Sequence, residues 1–85
     1  MISEKELEEI ELRSEKAQKG PWKAFIEGRD HESGSNFIRT SEDNDRGKDI
    51  EMLGATNADF DFVANARQDI PRLIEEIRKL KLSNH

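Results

Sequence analysis

Apolar residues recur along this chain with two different periods, and the changes of period divide it into elements. From Glu4 to Lys19 the spacing is helical, with Leu7, Ile10, Ser14 and Ala17 on one face. That stripe is thin, so the helix needs a better-packed partner. Ser3 and Glu6 form a capping-box pair at its start, each side chain placed to satisfy an orphan backbone N–H. Early glutamates suit the positive end of the helix dipole, and Lys16 and Lys19 suit the negative end. Gly20 is expected to stop the helix in a left-handed conformation, and Pro21 prevents continuation.

The pattern then shortens. Trp22, Ala24 and Ile26 alternate with Lys23, Phe25 and Glu27, which predicts a strand over residues 22–27. Phe37 and Ile38 anchor a second strand over residues 36–40. Ile50 and Met52 mark a third over residues 49–53. A hydrophilic turn, residues 41–47, separates the last two. The short connections predict a three-stranded antiparallel meander.

Gly54-Ala55-Thr56 punctuates the chain, and Thr56 with Asp59 starts a helix over residues 57–67. Phe62, Val63 and Ala66 share a face of it, with Phe60 alongside. Asp69 reads as the N-cap of a further helix, because Pro71 in a first turn loses no intrahelical hydrogen bond. Ile70, Leu73, Ile74, Ile77 and Leu80 then form a helical stripe expected to be core, with Arg72, Glu75, Glu76, Arg78, Lys79 and Lys81 outside. Residues 83–85 are expected to fray. The predicted fold is α+β, one domain over residues 1–85: an N-terminal helix, a three-stranded antiparallel sheet and two C-terminal helices, α-βββ-αα. One sheet face is expected to be buried against the helices.

Composition sharpens this picture. The 85 residues are 33% hydrophobic and 39% charged, a balance that raises disorder, but the periodicity of the apolar residues argues for a folded chain. So small a core is marginal alone, which favours a homo-oligomer, simplest as a homodimer. The net charge of −5 opposes DNA or RNA as a partner. The absence of cysteine excludes disulfides, thiol catalysis and cysteine zinc sites. The acidic N-terminus is not expected to be a signal peptide, and no stretch approaches membrane-spanning length, so a cytoplasmic protein without a membrane partner is expected.

The densest polar chemistry lies in residues 28–35, between the first two strands. Arg29 could pair with a phosphate, His31 could donate to it, and Ser33 and Ser35 could add hydroxyl bonds. Backbone N–H groups near Gly34 could form an anion-binding nest. The plainer alternative is a hairpin in which Arg29 pairs with Asp30 or Glu32. Arg39, Thr40, Arg46 and Lys48 could gather at one end of the sheet, facing an anion or pairing with Asp43, Asp45 and Asp49. Trp22 reads first as a core anchor and second as a stacking platform. Phe25 and Phe37 are assigned to the less buried sheet face. Arg67 reads as locally paired, with reach to a ligand as the other option.

No cofactor is expected, because the glycine spacing fits neither a P-loop nor a dinucleotide fingerprint. No metal is expected either, since only two histidines are present. A nucleophile–base–orienter set from Ser33, His31 and Asp30 is geometrically unfavourable for sequence neighbours, so no enzyme activity is expected.

The residues Pro21-Trp22, then Glu27-Gly28-Arg29-Asp30-His31 with Ser33-Gly34, and Phe37-Ile38 with Thr40, resemble small proteins encoded by phages and prophages, mainly of Gram-positive bacteria. The tail carries the resemblance further, through Ala66-Arg67-Gln68-Asp69-Ile70-Pro71 and Leu73-Ile74-Glu75-Glu76-Ile77. The resemblance implies a counter-defence role in a bacterial host cell. Its most concrete form is a non-enzymatic sponge for a small anionic, nucleotide-like ligand, held by Arg29, Arg46, His31, Ser33 and Thr40, with Phe25 or Trp22 on the base or ribose. The alternative is a protein-blocking module, a defence-protein inhibitor or toxin immunity protein, acting on a host or toxin protein through Glu4, Glu8, Glu11 and Glu15.

Overall fold

The computed structural model describes residues 1–32, 34–41 and 48–83. Four elements follow in order: α1 (Glu4–Lys16), β1 (Lys23–Phe25), β2 (Phe37–Arg39) and α2 (Asn57–Ser83). The fold is α+β, but with a two-stranded sheet and one C-terminal helix rather than three strands and two helices.

α1 starts as its local chemistry dictates, with the Glu6 N–H donating to Ser3 Oγ at 3.1 Å. It ends at Lys16, three residues short of the expected Lys19, and Ala17 is already extended. Arg67 holds the chain where it leaves the helix. Its Nε donates to the Gln18 carbonyl at 2.7 Å and its Nη1 to Ser14 Oγ at 3.0 Å. Gly20 is not left-handed. It is a glycine for proximity, because a Cβ there would stand 3.1 Å from Gln68 Oε1.

β1 and β2 pair antiparallel, with Lys23 opposite Arg39, Ala24 opposite Ile38 and Phe25 opposite Phe37. Ala24, Ile26 and Ile38 pack with Phe60 and Ala64 of α2 to form the core, and Trp22, Ile50 and Met52 close around it. The expected third strand shrinks to one bridge, in which Ile50 and Ile38 exchange backbone hydrogen bonds of 2.8 and 2.9 Å. That one pairing and burial together bring the segment in. Ile50 and Met52 reach the core, while Glu51 and Leu53 are exposed.

The backbone just before β1 is capped by a side chain. The Trp22 N–H donates to Gln68 Oε1 at 2.8 Å, and Gln68 Nε2 donates to the Trp22 carbonyl at 3.0 Å. The carboxamide thus makes the two bonds that a neighbouring strand residue would make.

α2 runs unbroken for 27 residues. Its start is a reciprocal cap, with the Thr56 N–H donating to Asp59 Oδ2 at 2.9 Å and the Asp59 N–H to Thr56 Oγ1 at 3.1 Å. Asp69 is an exposed mid-helix residue and not an N-cap, and Pro71 lies inside the helix. An interior proline costs about 3 kcal/mol. Burial on both sides of it, Phe60 and Ala64 before and Ile74 after, offsets that cost and keeps the two halves in one helix. α1 packs antiparallel on the second half. Arg78 bonds Glu4 at 2.7 Å and Glu11 at 3.1 Å, and Lys81 bonds Glu4 at 3.1 Å.

The expected core stripe of this second half divides. Ile74 is buried and Ile77 half-buried, whereas Ile70, Leu73 and Leu80 are exposed. α1 is short and covers only one flank of α2. Among the described residues, no helix is long and apolar enough to cross a membrane.

Candidate functional site

The loop after β1 is a built turn. Gly28 has φ +81°, and its N–H donates to the His31 carbonyl at 2.8 Å. The N–H groups of Arg29 and Asp30 both donate to the Ile26 carbonyl, at 3.0 and 2.8 Å. Asp30 Oδ2 accepts from the Ile26 N–H at 2.8 Å and from Arg29 Nε at 3.0 Å. The far end of Arg29 makes two 2.9 Å bonds to the Asp61 carboxylate on α2. These contacts hold the Asp30 and Asp61 carboxyls below the usual range and keep the Arg29 guanidinium protonated. Arg29 and Asp30 therefore fasten the loop to α2, and their charges are already matched within the chain.

His31 turns inward. Its Nε2 lies 3.3 Å from the Phe25 carbonyl and its Nδ1 3.7 Å from Glu27 Oε2. The ring tilts onto Phe37 with centroids 5.0 Å apart. The expected nest at Gly34 is filled by the chain itself, because the Gly34 N–H donates to Glu27 Oε2 at 2.7 Å. Ser35 is exposed on the same loop. Ser33 and Arg46 lie outside the described residues, as does most of the turn carrying Asp43 and Asp45.

Thr40 is buried, with its hydroxyl donating to the Lys48 carbonyl at 2.9 Å and lying 3.2 Å from Gln18 Oε1. It joins β2 to the segment after α1 and lines a groove with Lys19 and Pro21. Trp22 is half-buried against the core, as its anchor reading required. Phe37 is only 4% exposed, not part of an open face. It is covered by His31 and by Phe25, which stacks on it at 5.2 Å. Arg67 serves α1, as described above.

What remains open on the outer sheet face is a trio that the register creates. Lys23 and Arg39 stand opposite each other across the two strands. The Arg39 guanidinium lies 4.9 Å and Lys23 Nζ 5.1 Å from the centroid of the Phe25 ring. The ring attracts both cations through its π-face without cancelling their charge. Neither is ion-paired to a described carboxylate.

Pro21, Lys23, Phe25, Arg39 and Ser41 line a cleft of about 300 Å³. A neighbouring groove of about 490 Å³ shares Pro21 and Ser41 and adds Lys19 and Lys48. Lys23 is the residue that sequence reasoning missed. The signal was the alternation that puts it beside Phe25, but only the register brings Arg39 opposite.

Among the described residues, no group of three or more metal-ligating side chains is placed to hold an ion. Asp30 Oδ2 accepts from the Ile26 N–H, and His31 Nε2 lies 3.3 Å from the Phe25 carbonyl. No protein-family model, curated protein or solved structure matches this chain.

Proposed function

We propose that this protein is a non-catalytic binder of a small anionic, nucleotide-like ligand, held on the outer sheet face by Lys23 and Arg39 beside Phe25. The carrying observation is the convergence of two cations on one aromatic ring, without a described carboxylate between them. A phosphate suits this pair, since a guanidinium offers two parallel donors and an ammonium adds a compact charge. Lys19 and Thr40, along the adjoining groove, give a second phosphate or a ribose edge somewhere to lie.

The central loop supports this face instead of binding the ligand, with His31 and Phe37 packed beneath Phe25. Its resemblance to phage-encoded proteins supplies the setting, sequestration of a host signalling nucleotide. Blocking of a protein through α1 is the less favoured reading. Glu4 and Glu11, two of the four glutamates it relies on, are engaged by Arg78 and Lys81.

Native mass spectrometry against cyclic nucleotides and ADP-ribose derivatives tests the proposal. A bound increment that is lost in Lys23→Ala and Arg39→Ala but kept in Arg29→Ala is the expected result. A folded protein that takes up nothing from the panel would overturn it.

A further inference from the structure

Lys23 and Arg39 stand directly opposite each other in the strand register. Like charges at facing positions of an antiparallel pair repel. Among the described residues neither cation has a carboxylate partner, and Lys19 in the adjoining groove has none either. An anion seated here therefore relieves a repulsion that the described chain leaves in place. The net charge of −5 repels long polyanions from the chain as a whole, so this local excess of cations suits a small one.

The walls decide which part of a nucleotide they can recognise. A base is held by stacking on an aromatic side chain and by hydrogen bonds to its edge. Phe25 is the one aromatic residue in the described walls of the cleft and the groove. Its π-surface is already engaged. Phe37 lies parallel to it with centroids 5.2 Å apart, and both cations stand over the ring. A base on that ring would compete with all three. Trp22 is no substitute, because it lines a different groove, with Ile10 of α1 and Val63 of α2. For a base edge, the carboxamide acceptor of the walls, Gln18 Oε1, is turned onto Thr40 Oγ1 at 3.2 Å.

We propose, resting on the anion reading above, that this site reads two adjacent phosphates, as in a pyrophosphate group, and is indifferent to the base attached to them. The cleft and the groove meet at Pro21 and Ser41. Lys23 and Arg39 line the first and Lys19 the second, so cations stand in both compartments. One phosphate takes the Lys23–Arg39 pair, where the guanidinium offers two parallel donors. The next takes Lys19. The base is left beyond the cations, in solvent. Such a site takes nucleoside diphosphates, their sugar conjugates and pyrophosphate itself as one class of ligand.

Titration calorimetry of the full chain at one ionic strength, with orthophosphate, pyrophosphate, ADP, GDP and adenosine, separates phosphate from base. Pyrophosphate, ADP and GDP should agree within about fivefold, and each should bind at least about tenfold tighter than orthophosphate, because the second phosphate adds a charge-assisted contact. Adenosine should not bind. Lys19→Ala should bring pyrophosphate down towards orthophosphate while circular dichroism still reports the folded helices, because Lys19 is exposed.

ADP and GDP more than about fivefold apart, or adenosine bound alongside them, would refute the indifference to base while the anion reading stands. Pyrophosphate no tighter than orthophosphate would overturn the paired-phosphate assignment, as would a folded Lys19→Ala variant that keeps the full preference. A folded chain that binds none of the five compounds would overturn the anion reading, and this inference with it.

Discussion

Arg29 and Asp61 meet end to end across the junction of the central loop and α2, joined by two parallel hydrogen bonds of 2.9 Å. They lie 32 residues apart in sequence. The pair turns the most conspicuous cation of the loop into a fastener, which moves the functional question to the neighbouring sheet face.

That pairing predicts an acid-sensitive fold. Arg29 depresses the carboxyls of Asp61 and Asp30 below their ordinary values. A carboxyl depressed in the folded state contributes stability above its unfolded value and loses it as pH falls through the folded value. Stability should hold at neutral pH and decline below about pH 4, where unfolded carboxyls begin to protonate. Asp61→Asn should lower stability at neutral pH and flatten this decline. Urea denaturation over a pH series measures both, and an unchanged slope would refute the role of the pair.

The cationic trio predicts a division among arginines. Removing Arg39 or Lys23 should weaken ligand binding by about 10- to 100-fold, the equivalent of one charge-assisted hydrogen bond. Removing Arg29 should change affinity by less than about twofold. Titration calorimetry on the three alanine variants, repeated at raised salt, gives the comparison. Salt should weaken the wild-type complex more than either site variant.

Gln68 should behave as a structural residue of the sheet. Gln68→Ala removes both bonds to the Trp22 backbone and leaves a donor and an acceptor to find other partners, at a cost of about 1–3 kcal/mol. Hydrogen exchange at the Trp22 amide should accelerate with it. An amide that stays equally protected would show that the edge is closed by something else.

Pro71 makes the continuous helix testable. In a helix interior, Pro71→Ala should stabilise the protein by up to about 3 kcal/mol, because it restores a backbone donor and relieves the clash with the preceding turn. If a new helix began near Asp69, the same substitution would be close to neutral. Thermal unfolding of the variant separates the two.

The parts of the fold legible in the sequence are those decided within a few residues. Ser3 with Glu6, and Thr56 with Asp59, announce helix starts because donor and acceptor lie three apart. Asp69 and Pro71 carry an equally clear local message, yet burial of Phe60, Ala64 and Ile74 along one axis overrides it. The third strand is legible only at Ile50, which pairs with Ile38 and packs at the core, while its neighbours make no further bridge. The loop chemistry was visible in kind but not in direction. Nothing near Arg29 in sequence reveals Asp61, and nothing near Gly34 shows that Glu27 already occupies its N–H. Phe25 and Arg39 were identified as candidates, but the two-strand register was needed to add Lys23 to them.

The Gln68 carboxamide on β1 has a consequence for how the chain misbehaves when stressed. An open strand edge recruits other chains into aggregates, and here the shield is carried by a helix distant in sequence. At Trp22 the edge is therefore shielded only while α2 is docked, whereas at Ile26 the 28–30 turn holds it. Heat or denaturant that lifts the helix before the sheet melts bares an adhesive strand, and solubility is then lost ahead of secondary structure.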